Sequence, residues 1–223
     1  MKVSILIPCF NEEKTIEEIL KKINEQKSIL KEIIVIDDAS NDGTNIKLKN
    51  ELKHLYDILI ENNDNQGKGF SIRKGINSAT GEIILIQDAD LEYDPNDYEK
   101  ILSPILSNKA DVVYGSRFVT SQEKRVFLFW HSFGNKLLTL LSNIFTNINL
   151  TDMECCFKAF KTSTIKDIKL KENRFGFEPE ITAKISKRNL RIFEVGVSYY
   201  GRTYSEGKKI TWKDGLSALR CIL

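Results

Sequence analysis

Ile83-Ile84-Leu85-Ile86 is a run of four apolar residues, and Gln87-Asp88-Ala89-Asp90 follows it directly. A run this short and this apolar fits a strand covered on both faces of a parallel sheet. Ligands of open parallel sheets bind beyond the carboxyl ends of the strands. Asp88 and Asp90 therefore lie where such a fold does its chemistry. Two carboxylates two residues apart leave a strand end on the same side. Their hard oxygens suit Mg²⁺ or Mn²⁺, which take one or two protein carboxylates and complete their shells with substrate phosphates and water.

The same pattern recurs outward from this segment. Val3 to Ile7 is an apolar run stopped by Pro8 and followed by Cys9-Phe10-Asn11-Glu12. Ile33-Ile34-Val35-Ile36 ends in Asp37-Asp38-Ala39-Ser40. Asp57 to Ile60 is a weaker strand, and Asp111 to Gly115 a further one. Helical stretches lie between them. One opens at Asn11-Glu12-Glu13, with Asn11 as its N-cap, and carries Ile16, Ile19, Leu20 and Ile23 at helical spacing. Asp42-Gly43-Thr44 turns into a second helix, Phe70 to Ser78 is a third, and Pro95 to Leu106 a fourth that Pro104 breaks near its end. Strands alternating with helices predict an α/β fold: a Rossmann-like, mostly parallel central sheet flanked by helices. No internal repeat, low-complexity segment or Pro/Gly-rich linker divides the 223 residues, so they form one domain.

Composition excludes several classes. Hydrophobic residues make up 41% and charged residues 29%, which rules out disorder, collagen and coiled coil for the whole. A formal net charge of +2 argues against a protein built to coat nucleic acid, and no nucleic-acid partner is expected. Cys9, Cys155, Cys156 and Cys221 form no C-x-x-C pair, and a bridge between the adjacent Cys155 and Cys156 would be strained. Free thiols in a reducing cytoplasm are the expectation. No stretch reaches the roughly 18 apolar residues of a spanning helix, so the chain is expected to be soluble or to lie on a membrane without crossing it.

The carboxylates after three strands meet along one edge of the predicted sheet. Clustered carboxylates repel and cost stability unless a cation or ligand donors lie among them. A metal ion with a polyhydroxy or base ligand explains them economically. Gly67-Lys68-Gly69-Phe70-Ser71-Ile72 begins like a dinucleotide fingerprint, but Ile72 stands where the third glycine belongs. No G-x-x-x-x-G-K-[ST] occurs, which argues against a P-loop ATPase. The Gly67-Lys68-Gly69 turn can still cradle a nucleotide or sugar at the N-terminus of the helix that follows.

Val3-Ser4-Ile5-Leu6-Ile7-Pro8-Cys9-Phe10-Asn11-Glu12, Ile36-Asp37-Asp38-Ala39-Ser40-Asn41-Asp42-Gly43-Thr44 and Asp88-Ala89-Asp90-Leu91 together resemble family 2 glycosyltransferases with the GT-A fold. Gly115-Ser116-Arg117-Phe118, Asp152-Met153-Glu154 and Gly201-Arg202-Thr203-Tyr204-Ser205-Glu206-Gly207-Lys208-Lys209 resemble the polyprenyl-phosphate branch, typified by dolichyl-phosphate mannosyltransferases. Cys155-Cys156 departs from that pattern. The resemblance implies a nucleotide-sugar-binding half, residues 1–120, and a C-terminal acceptor-side extension, residues 121–223. It implies metal-dependent, inverting transfer of a hexose from a nucleotide sugar to a polyprenyl phosphate. Pro8, Asn11, Glu12, Asp37, Asp38, Gly67, Lys68, Asp88 and Ala89 would line the donor nucleotide site, with Asp38 on the base or ribose. Asp88 and Asp90 would hold Mg²⁺ or Mn²⁺ on the diphosphate, with Glu92 as a further ligand. Arg117, Arg202 and Lys208 would bind phosphates of donor or acceptor.

The acceptor decides whether a base is needed. A sugar hydroxyl must lose its proton, whereas a lipid monophosphate is already charged, with a second pKa of about 6. Asp90, Asp152 and Arg117 are the catalytic candidates, Asp152 as a base or as an orienter of the acceptor site. Guanine and uracil edges both suit Asp37 and Asp38, so GDP-mannose and UDP-glucose stay open as donors. A glycan hydroxyl acceptor, a non-catalytic sugar-nucleotide binding module and nucleotidyl transfer are the rival readings. Val126-Phe127-Leu128-Phe129-Trp130, beside Lys124-Arg125 and ahead of Leu137, Leu138, Leu141, Ile144 and Phe145, fits either peripheral contact with the cytoplasmic membrane face or packing on the core or another subunit. Glu178 or Glu180 could shape the acceptor pocket, but N-terminal helix charge explains both adequately, and Trp212 to Leu223 reads as an amphipathic helix.

Overall fold

The computed structural model describes residues 1–119, 125–126, 128–202 and 212–222. Lys208, Lys209 and the rest of 203–211, with Lys124 and Phe127, lie outside the described residues. The strands are β1 (Val3–Cys9), β2 (Lys31–Asp37), β3 (Ile58–Glu61), β4 (Ile83–Ile86), β5 (Val112–Ser116), β6 (Lys158–Lys161) and β7 (Ile192–Gly196). The helices are α1 (Ile16–Glu25), α2 (Thr44–Asn50), α3 (Lys68–Ser78), α4 (Tyr98–Leu106), α5 (Phe129–Thr146), α6 (Thr162–Lys166), α7 (Phe177–Ser186) and α8 (Trp212–Ile222).

Among the described residues the strands form one sheet in the order β3-β2-β1-β4-β6-β5-β7. The pairs β1–β2, β1–β4, β2–β3 and β5–β7 are parallel. This order sets the carboxyl ends of β2, β1 and β4 side by side. β6 is the exception: it runs antiparallel between β4 and β5.

Alternate residues of each strand feed two cores. Val3, Ile5 and Ile7 of β1 join Ile33, Val35, Ile83 and Leu85 on the face covered by α1 and α4. Leu6, Ile34, Ile36, Ile84 and Ile86 face the other way, against α3 and α7. Burial on both faces is why these strands read as continuous apolar runs rather than as alternating ones. α4 starts at Tyr98, after a 3-10 turn over Pro95–Asp97, and runs through Pro104 to Leu106 without breaking there.

The first helix starts later than its acidic residues suggest. Asn11 is not its N-cap; α1 begins at Ile16, with Thr15 before it. Asn11 instead adopts φ 53°, and its side chain exchanges hydrogen bonds with Asn41. Ala39 and Leu91 also take left-handed backbone angles, φ 60° and 64°. All three lie in the loops beyond β1, β2 and β4. Non-glycine residues in such a region persist only where surrounding contacts hold them, and they cluster at functional sites.

The opposite edge of the sheet is closed by Glu32, which is 5% exposed. Its carboxylate accepts from Ser4 Oγ (2.5 Å), Thr80 N (2.9 Å), Thr80 Oγ1 (2.6 Å) and Lys2 Nζ (3.0 Å). Burial opposes its charge, but these donors outweigh burial and hold its pKa at about 2. A carboxyl with a lowered folded-state pKa contributes stability in full above its unfolded pKa, and loses it as pH falls toward the folded value. Glu32→Gln is expected to lower the urea midpoint near neutral pH. The gap to wild type should close between about pH 4.5 and pH 2. A gap that stays constant across this range would show that Glu32 acts by shape alone.

Candidate active site

The loops after β1 and β2 are stitched together before any ligand arrives. Asn11 N donates to Ser40 Oγ (2.9 Å), and Glu12 N donates to Thr44 Oγ1 (2.8 Å). Asp37 accepts from Ser40 N (3.2 Å), Ser40 Oγ (2.5 Å) and Asn45 Nδ2 (2.7 Å). Asp38 accepts from Asn62 Nδ2 (2.6 Å), Gln66 N (3.0 Å) and Gly67 N (2.7 Å). Both carboxylates are buried, at 1% and 3% exposure. Asp38 thus fixes the turn that opens α3. Gly67 there has φ 100°, and a Cβ on it would lie 2.6 Å from Asn173 O. Pro8, beside this loop, pairs in register with Ile36.

The acidic cluster forms where β4 ends. Lys68 Nζ lies 2.6 Å from Asp88 Oδ1. Arg202 reaches across from the C-terminal part of the chain. Its guanidinium lies 2.8 Å from Asp90 Oδ2 and 3.3 Å from Glu12 Oε2, and its backbone N donates to Glu92 Oε1 (2.7 Å). Glu92 Oε2 accepts from Tyr199 Oη (2.8 Å). Ala89, 3% exposed, packs into the core between the two aspartates. Burial, with the charges of Asp88 and Glu92, pushes the Asp90 carboxyl up to about 7.

Four carboxylates here meet two cations, Lys68 and Arg202. That balance leaves room for a divalent ion. Among the described residues no three His, Cys, Asp or Glu side chains gather as a complete protein-built metal site. Two carboxylates, Asp88 and Asp90, are what a Mg²⁺ or Mn²⁺ shared with a diphosphate asks of the protein. The cluster fits such an ion in that form. Glu92, expected as a third ligand, has both oxygens engaged by Arg202 and Tyr199.

Arg117 and Asp152 form a second centre. Arg117 Nε and Nη2 each lie 2.7 Å from an Asp152 oxygen, and Arg117 N donates at 3.0 Å. Asn135 Nδ2 adds a fourth donor at 3.0 Å. Asp152 is 0% exposed, and although burial opposes its charge, Arg117 outweighs burial and lowers its pKa. A carboxylate held this way is a weak base, so the geometry favours the orienting role over the base. Arg117 also lies over the Tyr199 ring (5.2 Å), and Tyr199 ties it to Glu92.

Three residues here have no settled site role from the sequence. Glu178 is 2% exposed, not a solvated helix charge, and lies 3.6 Å from Lys68 Nζ. Glu154 is pushed up to about 8 by burial and by the Glu178 charge. Lys158, 0% exposed, bonds the carbonyls of Met153 and Cys155 and so holds the loop that carries Asp152 and Glu154. Glu180, by contrast, turns away and accepts from the backbone N of Lys171 and Glu172. A groove of about 490 Å³ borders the same turn at Asn65 and Gln66, but is otherwise lined by residues 171–174, Ser217 and Arg220 and contains none of the four carboxylates.

Breaking a buried ion pair from one side leaves a bare charge and costs about 3–5 kcal/mol. Asp152→Ala is expected to lose about that much in equilibrium urea unfolding. A loss under about 1 kcal/mol would show Arg117 to be adequately solvated without its partner.

The profile of glycosyl transferase family 2 matches residues 4–169. An uncharacterised protein of Methanocaldococcus jannaschii is 31% identical over 92% of this chain and 84% of its own length. A dolichol-phosphate mannosyltransferase of Pyrococcus furiosus is 28% identical over 93% of this chain, which spans 59% of that protein. A dodecaprenyl-phosphate galacturonate synthase of Rhizobium johnstonii is 25% identical over 93% of this chain and 62% of its own. Among solved structures, mannosyl-3-phosphoglycerate synthase of Rubrobacter xylanophilus superposes with a TM-score of 0.77 at 17% identity, over 100% of this chain and 72% of that one. Glucosyl-3-phosphoglycerate synthase of Mycobacterium tuberculosis, in complex with Mn²⁺, UDP and phosphoglyceric acid, does so with a TM-score of 0.75 at 17% identity, over 99% and 78%. The fold is GT-A, and the chain belongs to glycosyl transferase family 2.

Proposed function

We propose that this glycosyltransferase is metal-dependent and inverting, and that it moves a hexose, mannose or glucose, from a nucleotide sugar to a polyprenyl phosphate. The observation that carries this reading is the charge arrangement. Carboxylates short of cations stand at the donor end, and an arginine locked onto the one candidate base stands beside it. A divalent ion held by Asp88 and Asp90 would supply Lewis-acid compensation for the charge that builds on the departing nucleoside diphosphate. Lys68 and Arg202, now seated on Asp88 and Asp90, are positioned to turn toward diphosphate oxygens. Arg117 and Arg202 present planar charges to an acceptor phosphate. A phosphate monoester arrives already ionised, so the weak basicity of Asp152 is no handicap. The named relatives that act on dolichol or dodecaprenyl phosphate support the same acceptor class.

The outer face of α5 supports work at a membrane surface. Phe129, Trp130 and Phe133 are 71%, 76% and 52% exposed and touch one another ring to ring. Leu137, Leu140, Ile144 and Phe145 extend this exposed face. Among the described residues no helix is long and apolar enough to cross a bilayer. An aromatic face with Arg125 and Lys136 nearby suits peripheral seating in the interface, at the cytoplasmic leaflet where the donor is supplied.

Two measurements check these proposals. With Mn²⁺, a short polyprenyl phosphate and a panel of GDP- and UDP-sugars, mass spectrometry is expected to find a lipid-phosphate hexose. Asp90→Ala should lower its rate by roughly 10²–10³ while the protein stays folded. Near-wild-type turnover of that variant would remove Asp90 from the mechanism. In flotation on anionic vesicles, wild type is expected to rise with the lipid and a Phe129→Ser/Trp130→Ser variant to stay behind. Absent binding by wild type, or equal binding by both, would discard the membrane role of this face.

A further inference from the structure

Three buried carboxylate oxygens, two of them on Glu178 beside Lys68, accept no hydrogen bond. Glu178 is only 2% exposed, yet neither Oε1 nor Oε2 has a donor. Oε1 of Glu154 is likewise buried without one. The nearest cation does not satisfy them. Lys68 Nζ lies 2.6 Å from Asp88 but 3.6 Å from Glu178, beyond hydrogen-bond length. Lys158 is spent on the carbonyls of Met153 and Cys155 and on the Tyr114 ring, 5.0 Å away. Buried acceptors left without donors call for a ligand or ordered water. Ionised carboxylates take up hydroxyl donors well, in short charge-assisted bonds. Lys68 and Asp88 are 12% and 15% exposed, so the wall that begins at Glu178 continues to the surface beside the donor end of the site.

We infer that Glu178 and Glu154 form the subsite for the hydroxyls of the transferred sugar, and that the charge of Glu178 restricts the donor to uncharged hexosyl groups. This rests on the proposed function above and narrows it. A ring hydroxyl supplies the donor that each oxygen lacks. A hexuronosyl group would bring a further carboxylate against Glu178, whose buried oxygens accept no hydrogen bond, in a region with low solvent access where like charges repel strongly. Lys68 joins this subsite to Asp88, so the sugar and diphosphate ends of one ligand are gripped by one connected set of side chains. A family relative bears galacturonate in its name, so this choice of sugar charge is one that members of the family make individually.

Equilibrium binding to the full chain with Mn²⁺, by calorimetry, tests the assignment without turnover. The probes are GDP, GDP-mannose and GDP-mannuronate, and UDP, UDP-glucose and UDP-glucuronate. Wild type is expected to bind the neutral nucleotide sugar of its preferred base at least about tenfold more tightly than the matching uronate. Glu178→Gln should narrow that preference to within about threefold and weaken the neutral sugar about tenfold, with the bare diphosphate unchanged. Glu154→Gln should shift in the same direction, and its thermal midpoint verifies the fold if Glu178→Gln does not express. Equal weakening of diphosphate and nucleotide sugar, or no change in the uronate ratio in either variant, overturns the subsite. Failure of wild type to bind any diphosphate or nucleotide sugar overturns the donor reading itself.

Discussion

Repulsion among Glu12, Asp88, Asp90 and Glu92 is the constraint from which the rest of this molecule follows. Like charges about 4 Å apart repel by about 4 kcal/mol at an effective dielectric near 20. A fold that collects four of them must also bring cations. It does so from two distant places in the chain: Lys68 at the start of α3, and Arg202 near the C-terminal end of the described structure. The sheet order makes the collection unavoidable, because β2, β1 and β4 are neighbours and all end on one side. The left-handed residues Asn11, Ala39 and Leu91 turn the chain sharply just beyond these ends. Strain there is held by the hydrogen bonds that tie the first two loops together.

The parts of this arrangement that are legible in the sequence are those where local pattern and tertiary role agree. β1, β2 and β4 are uninterrupted apolar runs because both faces are covered. The aspartates after β4 stand out because nothing in a buried strand explains them. Where the two levels conflict, the sequence misleads or says little. β6 contains Lys158, which is fully buried yet charged, so its four residues carry no strand signal. Asn11 has the chemistry of an N-cap, but Asn41 competes for its side chain, and the helix starts at Ile16. Position alone suggests ligand contacts for Asp37 and Asp38. The structure uses their oxygens to hold the loops that shape the site. Glu178 offers a usable signal: it shares helical spacing with Ile181, Thr182 and Ile185, all buried, so it falls on the core face of α7. A carboxylate on a core face needs a reason, and helix-end charge is not one.

Cations and carboxylates are not mixed evenly across the site. Asp88 and Glu178 share Lys68 as their cation, and Glu154 lies beside Glu178. Arg117 and Arg202 lie toward Tyr199, which touches both centres through its ring and its hydroxyl. A nucleotide sugar carries its hydroxyls and a diphosphate that a metal can screen. A lipid phosphate carries only negative charge at its reacting end. The arginines near Tyr199 are each matched by carboxylates, Arg202 by Asp90, Glu12 and Glu92 and Arg117 by Asp152, whereas Glu178 and Glu154 hold oxygens without a hydrogen-bond donor.

That asymmetry also bears on the choice of acceptor. An enzyme that deprotonates a hydroxyl needs a carboxylate or imidazole with a pKa close to the working pH and room to receive a proton. Asp152 has neither: its oxygens accept four hydrogen bonds from Arg117 and Asn135, its pKa is lowered, and it is fully buried. What this pair does instead is fix a guanidinium in one orientation beside the transfer site. An arginine held so rigidly loses little further freedom on meeting a phosphate, and planar donors match phosphate oxygens two at a time. The Arg117–Asp152 pair is therefore built to hold a guanidinium in place rather than to take up a proton, which is the feature on which the proposed phosphate acceptor rests.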